Sequence, residues 1–314
     1  MYMTVVIALG GNALLRAGQE GTAEEQLANL KIACEQLVDI IRKHKVVLTH
    51  GNGPQVGKIV LQNEIAQEST PAMPFDVCGA MSQGQIGYML QQQLKNEMIK
   101  KGVPGEVVTL ITRVVVDKND PSFQSPTKPI GSFYSEEEAR EIMRKKKDQV
   151  WIEDAGRGWR RVVASPDPKK IVEKEVIKKL LQEDSIVLVA SGGGGVPVIK
   201  EGDIYKGVEA VLDKDLSAEL LAEVAEADLL LILTDVTHAF IHYGKPQQEK
   251  LQRVSRQKLE EYWQQGHFAK GSMEPKVRAA LRFLQKGGKR AAIASLDQAL
   301  EALEGKTGTQ VVND

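Results

Sequence analysis

Three lysines in this chain sit where an ordinary surface lysine does not. Lys128 stands in PTKPIG, between prolines that restrict its backbone. Lys214 stands in VLDKDLSAELLA, flanked by Asp213 and Asp215 at the start of a helical run. Lys276 stands in GSMEPKVRAA, where Pro275 is expected at the first position of a helix. Most lysines belong to solvated, charge-alternating faces; these three lie outside that pattern. Positive charge on short, rigid segments is what movement of a phosphoryl group asks of a protein. Its three equatorial oxygens carry the charge in flight, and positioning with electrostatic stabilisation does most of the catalysis. Asp213 and Asp215 read two ways: as helix-start caps, or as carboxylates that orient the lysines and keep them protonated. The run Arg144-Lys145-Lys146-Lys147 reads as a solvated helix end. Arg157, Arg160 and Arg161, in DAGRGWRRVV, are open between packing and anion contact.

Glycine clusters supply the other half of such a site. Gly10-Gly11-Asn12 follows TVVIAL, Gly51-Asn52-Gly53 follows VVLTH, and Gly192 to Gly195 follow SIVLVAS. One glycine after a strand is usually a turn. Three clusters at equivalent strand ends argue a shared anion cradle, because glycine lets backbone N–H groups approach without Cβ interference. His50, beside the second cluster, is open between ligand contact and a structural role. Gly305-Lys306-Thr307 lacks the glycine of a P-loop, since position 300 is leucine. The first strand is followed by GGNALL and not by a dinucleotide fingerprint. His238 and His242 form an HxxxH without the metalloprotease glutamate, which disfavours metal binding there.

Elements must hold these residues in place. Apolar runs recur at residues 4–9, 46–50, 107–112, 185–191, 228–234 and 291–294. They are near-continuous and not alternating, as in parallel strands covered on both faces. Residues 22–45 carry a helical stripe of Leu27, Leu30, Cys34, Leu37, Val38 and Ile41, with Thr22 and Glu25 as a capping box. EEYWQQG and EPKVRAALRFLQKGG read as further helices, the second closed by Gly287. Strand alternating with helix predicts an α/β fold with an open, mainly parallel sheet. Residues 118–168, rich in Pro, Gly, charge and aromatics, break the rhythm and read as a small subdomain or lid. At 314 residues with 41 basic and 42 acidic side chains, the chain is long enough for two lobes around a cleft, and its balanced charge disfavours nucleic acid as a partner. No apolar run approaches a membrane span, MYMTVVIALGG reads as a first strand and not a signal peptide, and the two cysteines form no CxxC. A cytoplasmic location is expected.

The motifs together carry a resemblance. ALGGNALL, LTHGNGPQVG, PTKPIG, EDAGRGWRRVV, SGGGGVPV, KGVEAVLDKDLSAELLA, LTDV, YGKP, GHFAKGSMEPK and GTQV occur in the order found in carbamate kinases. The chain therefore resembles the carbamate kinases of the amino acid kinase family, over nearly its whole length. The resemblance implies a three-layer αβα sandwich with a protruding subdomain, a homodimer, and one continuous kinase domain. Within it, residues 1–180 would form the acceptor lobe and residues 181–314 the nucleotide lobe. It implies reversible phosphoryl transfer between ATP, as its Mg2+ complex, and carbamate, giving ADP and carbamoyl phosphate, with ATP synthesis in arginine fermentation as a use. By the same resemblance Lys128, Lys214 and Lys276 neutralise charge and Asp215 orients them. Gly10, Gly11, Asn12, Gly51, Asn52 and Gly53 hold carbamate and the phosphoryl group. Gly193, Gly194, Thr234, Asp235, Val236, Tyr243 and Met273 fall at the nucleotide, and no protein metal ligand is implied. Many amino acid kinases carry a lysine two residues before the first glycine pair; here that position is Ala8, and Lys128 is the implied substitute. Two other readings stand beside this one: another acyl-phosphate-forming amino acid kinase, and a non-catalytic nucleotide sensor on the same fold.

Overall fold

All six apolar runs become strands of one sheet. In the computed structural model, which describes every residue except Met1, Ala17, Asp148, Ala155, Arg157 and Asp314, eight strands line up. Their spatial order is Arg253–Ser255, Thr309–Val312, Arg290–Ser295, Leu229–Thr234, Thr4–Leu9, Lys45–His50, Ile186–Val189 and Glu106–Thr109. Neighbours are parallel except Thr309–Val312, which runs antiparallel to Arg290–Ser295. The expected strand over 107–112 stops at Thr109. The amide groups of the buried Gln83 take the N–H and C=O of Thr112, and Arg113–Val115 passes into a second sheet.

Each central strand is apolar on both faces because both are covered. Val5, Ile7 and Leu9 pack with Leu30, Leu37, Leu90 and Leu94, whereas Val6 and Ala8 pack with Leu216, Leu221, Val277 and Leu281. The first set comes from helices Ala23–Ile41 and Phe75–Lys100, the second from Lys214–Val224 and Met273–Gln285. The result is a three-layer αβα sandwich. Thr22 and Glu25 form the expected capping box. Helix Phe75–Lys100 has no clear amphipathic stripe in sequence, and its glycines disguise it. Gly87 is required there by packing, since a Cβ would come within 2.2 Å of Thr109 Cγ2. Helix Met273–Gln285 begins two residues earlier than expected, so Pro275 is its third residue and not its first. The cost is small, because first-turn N–H groups have no intrahelical acceptor.

Residues 128–163 fold separately, as strands Lys128–Tyr134, Val150–Glu153 and Trp159–Val163 in an antiparallel sheet with helix Glu136–Lys145. This unit abuts helix Gly53–Ala66 at a glycine pair, where a Cβ on Gly57 would lie 3.3 Å from Gly131 Cα. Lys145 ends its helix in solvent as expected, but Lys146 reaches Glu64 on helix Gly53–Ala66 at 3.4 Å. Cys34 is fully buried among apolar side chains, and burial raises its thiol pKa. Among the described residues, no helix is long and apolar enough to cross a membrane.

Candidate active site

The three lysines converge from three distant segments, and two aspartates gather them. Asp213 caps helix Lys214–Val224: its Oδ1 accepts the Asp215 backbone N–H at 3.0 Å. Its Oδ2 faces Lys128 Nζ at 3.4 Å. Asp215, one residue into the helix, accepts from Lys214 Nζ through Oδ1 at 2.5 Å and from Lys276 Nζ through Oδ2 at 3.2 Å. Lys276 Nζ also donates to the Ser272 carbonyl at 3.0 Å. The Asp215 side chain is only 4% exposed. Burial alone would raise its carboxyl, but the ammonium groups of Lys214 and Lys276 outweigh that and hold it below the usual carboxylate range. Asp213 is thus the helix cap, and Asp215 is the carboxylate that bridges Lys214 and Lys276.

The glycine clusters sit against this group and against each other. The stem of Lys214 lies across Gly51, where a Cβ would come 3.2 Å from Lys214 Cδ. Gly193 has φ +63 and faces the Asn52 side chain so closely that a Cβ would overlap the amide. Asn52 is in turn held by Ser82, whose Oγ accepts from Nδ2 at 2.7 Å. Gly194 has φ +92 and closes on Leu212, just before the Asp213 cap. Gly10 meets Leu233 and Thr234 at the neighbouring strand end, with 2.8 Å from its ideal Cβ to the Leu233 carbonyl. Gly11 and Asn12 occupy an exposed short turn, and Gly53 is exposed at the start of its helix. The carboxyl ends of the four central strands thus form one crevice floor, as expected of an open parallel sheet.

The remaining residues lie further out. The Thr234 hydroxyl donates to Asp235 Oδ1 at 3.0 Å, with Asp235 exposed and Val236 half-buried. Tyr243 is 68% exposed, its ring 6.0 Å from that of Phe240. Met273 opens the helix that carries Lys276 and packs on the core. His238 contacts the Thr237 hydroxyl, while His242 stacks edge-on with His267 at 4.4 Å. Arg160 pairs with Asp154 at 3.2 Å and covers the Phe133 ring, and Arg161 pairs with Glu209, which favours packing for both; Arg157 lies outside the described residues. Sequence reasoning missed Ser82 and Thr112. Thr112 Oγ1 accepts the Ser191 N–H at 3.0 Å and so fixes the entry to the third glycine cluster, and no local motif marks either residue.

Among the described residues, no three His, Cys, Asp or Glu side chains cluster as a metal cage. Asp213 and Asp215 are engaged by ammonium groups, and the exposed Asp235, just after strand Leu229–Thr234, is a carboxylate open to a hydrated ion. That arrangement fits a Mg2+ ion held chiefly by phosphates and water.

Known proteins match this chain along its length. The amino acid kinase family model matches residues 3–295. A carbamate kinase of Thermococcus kodakarensis is 58% identical over 314 residues, covering 99% of both chains. One from Pyrococcus furiosus is 56% identical, covering 99% of this chain and 100% of the relative. The structure of a Giardia lamblia carbamate kinase bound to AMP-PNP superposes with a TM-score of 0.94 at 48% identity, covering 99% of each chain. The chain belongs to the amino acid kinase family and, within it, to the carbamate kinases.

Proposed function

We propose that this enzyme transfers a phosphoryl group reversibly between ATP and carbamate, with the lysine–aspartate group as its catalytic centre. In the ATP-forming direction a β-phosphate oxygen of ADP attacks the phosphorus of carbamoyl phosphate. The bond from phosphorus to the carbamoyl oxygen breaks, and carbamate leaves with the electron pair. No proton has to move at the acceptor carboxylate, so the site needs positive charge and not a general base. The buried Asp215 between two ammonium groups carries this reading. With both oxygens engaged and its carboxyl held ionised, Asp215 is suited to orienting Lys214 and Lys276. A single carboxylate sets their separation, so the charge is arranged before the phosphoryl group arrives. Lys128 would approach from the subdomain side. The loops of Gly10, Gly11, Asn12, Gly51, Asn52 and Gly53 would take carbamate and the phosphoryl oxygens. Gly193, Gly194, Thr234, Asp235 and Val236, with Tyr243 and Met273 further out, would take the nucleotide. On this reading residues 1–180 serve the acceptor and residues 181–314 the nucleotide. Mg2+ bound to the nucleotide would lower the charge on its phosphates, and Asp235 would meet its water shell.

The exposed Val77, Met81 and Tyr88 share one face of helix Phe75–Lys100 and support a homodimer, which light scattering with size exclusion would test. The direct test of function is ATP formation from ADP, Mg2+ and carbamoyl phosphate, with acetyl phosphate and acetylglutamyl phosphate as alternative donors. Turnover confined to carbamoyl phosphate is expected. Turnover of another acyl phosphate alone would assign a different acyl kinase. Nucleotide binding without any turnover would assign a sensor.

A further inference from the structure

His50, the last residue of strand Lys45–His50, is 1% exposed and lies between two glycine loops. Its Nδ1 is 2.9 Å from the Gly51 carbonyl oxygen. Its Nε2 faces Gly192 so closely that a Cβ there would stand 2.4 Å away. Burial lowers its pKa to about 4, against the opposing effect of the Gly51 bond and with help from Lys214. The ring is therefore neutral at ordinary pH, and the carbonyl acceptor places its proton on Nδ1. In a trans peptide the Asn52 N–H points opposite to the Gly51 C=O. Holding that carbonyl on the ring turns the Asn52 amide away from the ring. Among the described residues, neither this amide nor that of Gly53 has a protein acceptor, as expected at a helix start.

We propose that His50 is a positioning residue for phosphoryl transfer. It fixes the Gly51–Asn52 peptide so that its N–H serves the transferred group, and its ring wedges against Gly192 to space the acceptor loop from the nucleotide loop. This rests on the phosphotransferase reading, so wild-type turnover is measured first; an inactive wild type would overturn that reading and this role with it, whereas an active wild type lets the variants overturn this role alone. The variants are His50→Asn, whose amide can reach the Nδ1 position, His50→Gln, whose amide reaches towards Nε2, and His50→Leu, which has no donor. With folding checked by thermal unfolding and ADP affinity by calorimetry, His50→Leu should lose about 100-fold in kcat with ADP affinity within about threefold, as expected when a transition-state contact is misaligned. His50→Asn should recover about tenfold or more of that loss, and His50→Gln should recover little. A merely structural role would lower the unfolding temperature without separating kcat from ADP binding. Equal rates for the Asn and Gln variants, or a loss appearing mainly in ADP affinity, would overturn the assignment. If His50→Leu does not fold, the Asn–Gln pair alone decides.

Discussion

The crevice at the strand ends and the 128–163 unit hold lysines of the same chemistry by different means. In the crevice, Lys214 and Lys276 share one nearly buried carboxylate, and the Lys214 stem is laid across a glycine. In the subdomain, Lys128 is 32% exposed and touches the outer oxygen of a capping aspartate at 3.4 Å. The subdomain meets the body through a glycine contact, a small apolar cluster in which Ile130 and Val163 pack with Val56, Ile59 and Val60, and the ion pairs of Lys146 with Glu64 and Arg161 with Glu209. Lys214 and Lys276 stand on helices that pack against the central sheet, whereas Lys128 opens a strand of the smaller antiparallel sheet. An exposed ion pair is worth little, whereas a buried charge left without its partner is costly.

The sharpest way to break this contrast is at the two aspartates. Asp215→Asn should lower turnover by about 1000-fold and destabilise the fold by about 3 kcal/mol, because two ammonium groups lose their shared anion. Asp213→Asn should cost far less, since asparagine caps a helix as well as aspartate does. Steady-state ATP formation and thermal unfolding of the pair test both statements, and equal losses would refute the division of roles. Lys214→Ala comes next, with a loss of about 100-fold or more in kcat while ADP affinity, followed by calorimetry, changes far less. Lys145→Ala is the appropriate surface control and should leave the rate unchanged, because Lys145 is exposed and pairs only within its own helix.

Lys128→Ala sharpens the comparison from the other side. About a tenfold loss of kcat/KM for carbamoyl phosphate is expected, with no change in unfolding temperature, because its ion pair is partly solvated. A large drop in stability would place Lys128 with the buried pair instead. A separate effect is a pH dependence of stability that belongs to the crevice. The folded state holds His50 down at about 4 against 6.5 for the free side chain. Below 6.5 the unfolded chain therefore binds a proton that the folded chain refuses. Stability from this residue is intact above 6.5 and is lost as the pH falls towards 4. Denaturant titrations at pH 7 and 4.5 should differ by about 2–3 kcal/mol from this source, and His50→Asn should flatten that slope.

Much of the site was legible because its residues announce themselves locally. A lysine between prolines, a lysine between aspartates and glycines at strand ends are unusual arrangements, and each reflects a local backbone constraint. Helix Phe75–Lys100 was not legible, because its glycines, of which Gly87 serves close packing against Thr109, blur the apolar stripe. Strand Thr309–Val312 was missed because four residues at the end of the chain carry too little periodicity to be told from a loop. Ser82 and Thr112 looked like ordinary polar residues, since their partners lie about thirty and eighty positions away.

By itself, the sequence determined the parallel sheet, the glycine loops at its carboxyl ends and the types of side chain available for chemistry. Those follow from periodicity, φ/ψ freedom and charge, which act over a few residues. Tertiary structure alone decided that Asp215 takes two lysines while Asp213 takes the third, that Arg161 answers Glu209, and that Thr49 bonds Ser191, 142 residues along the chain, with His50 between the loops of Gly51 and Gly192. Those choices depend on which segments the sheet order brings together. Pairing energies between distant charges exist only once burial has removed the water between them.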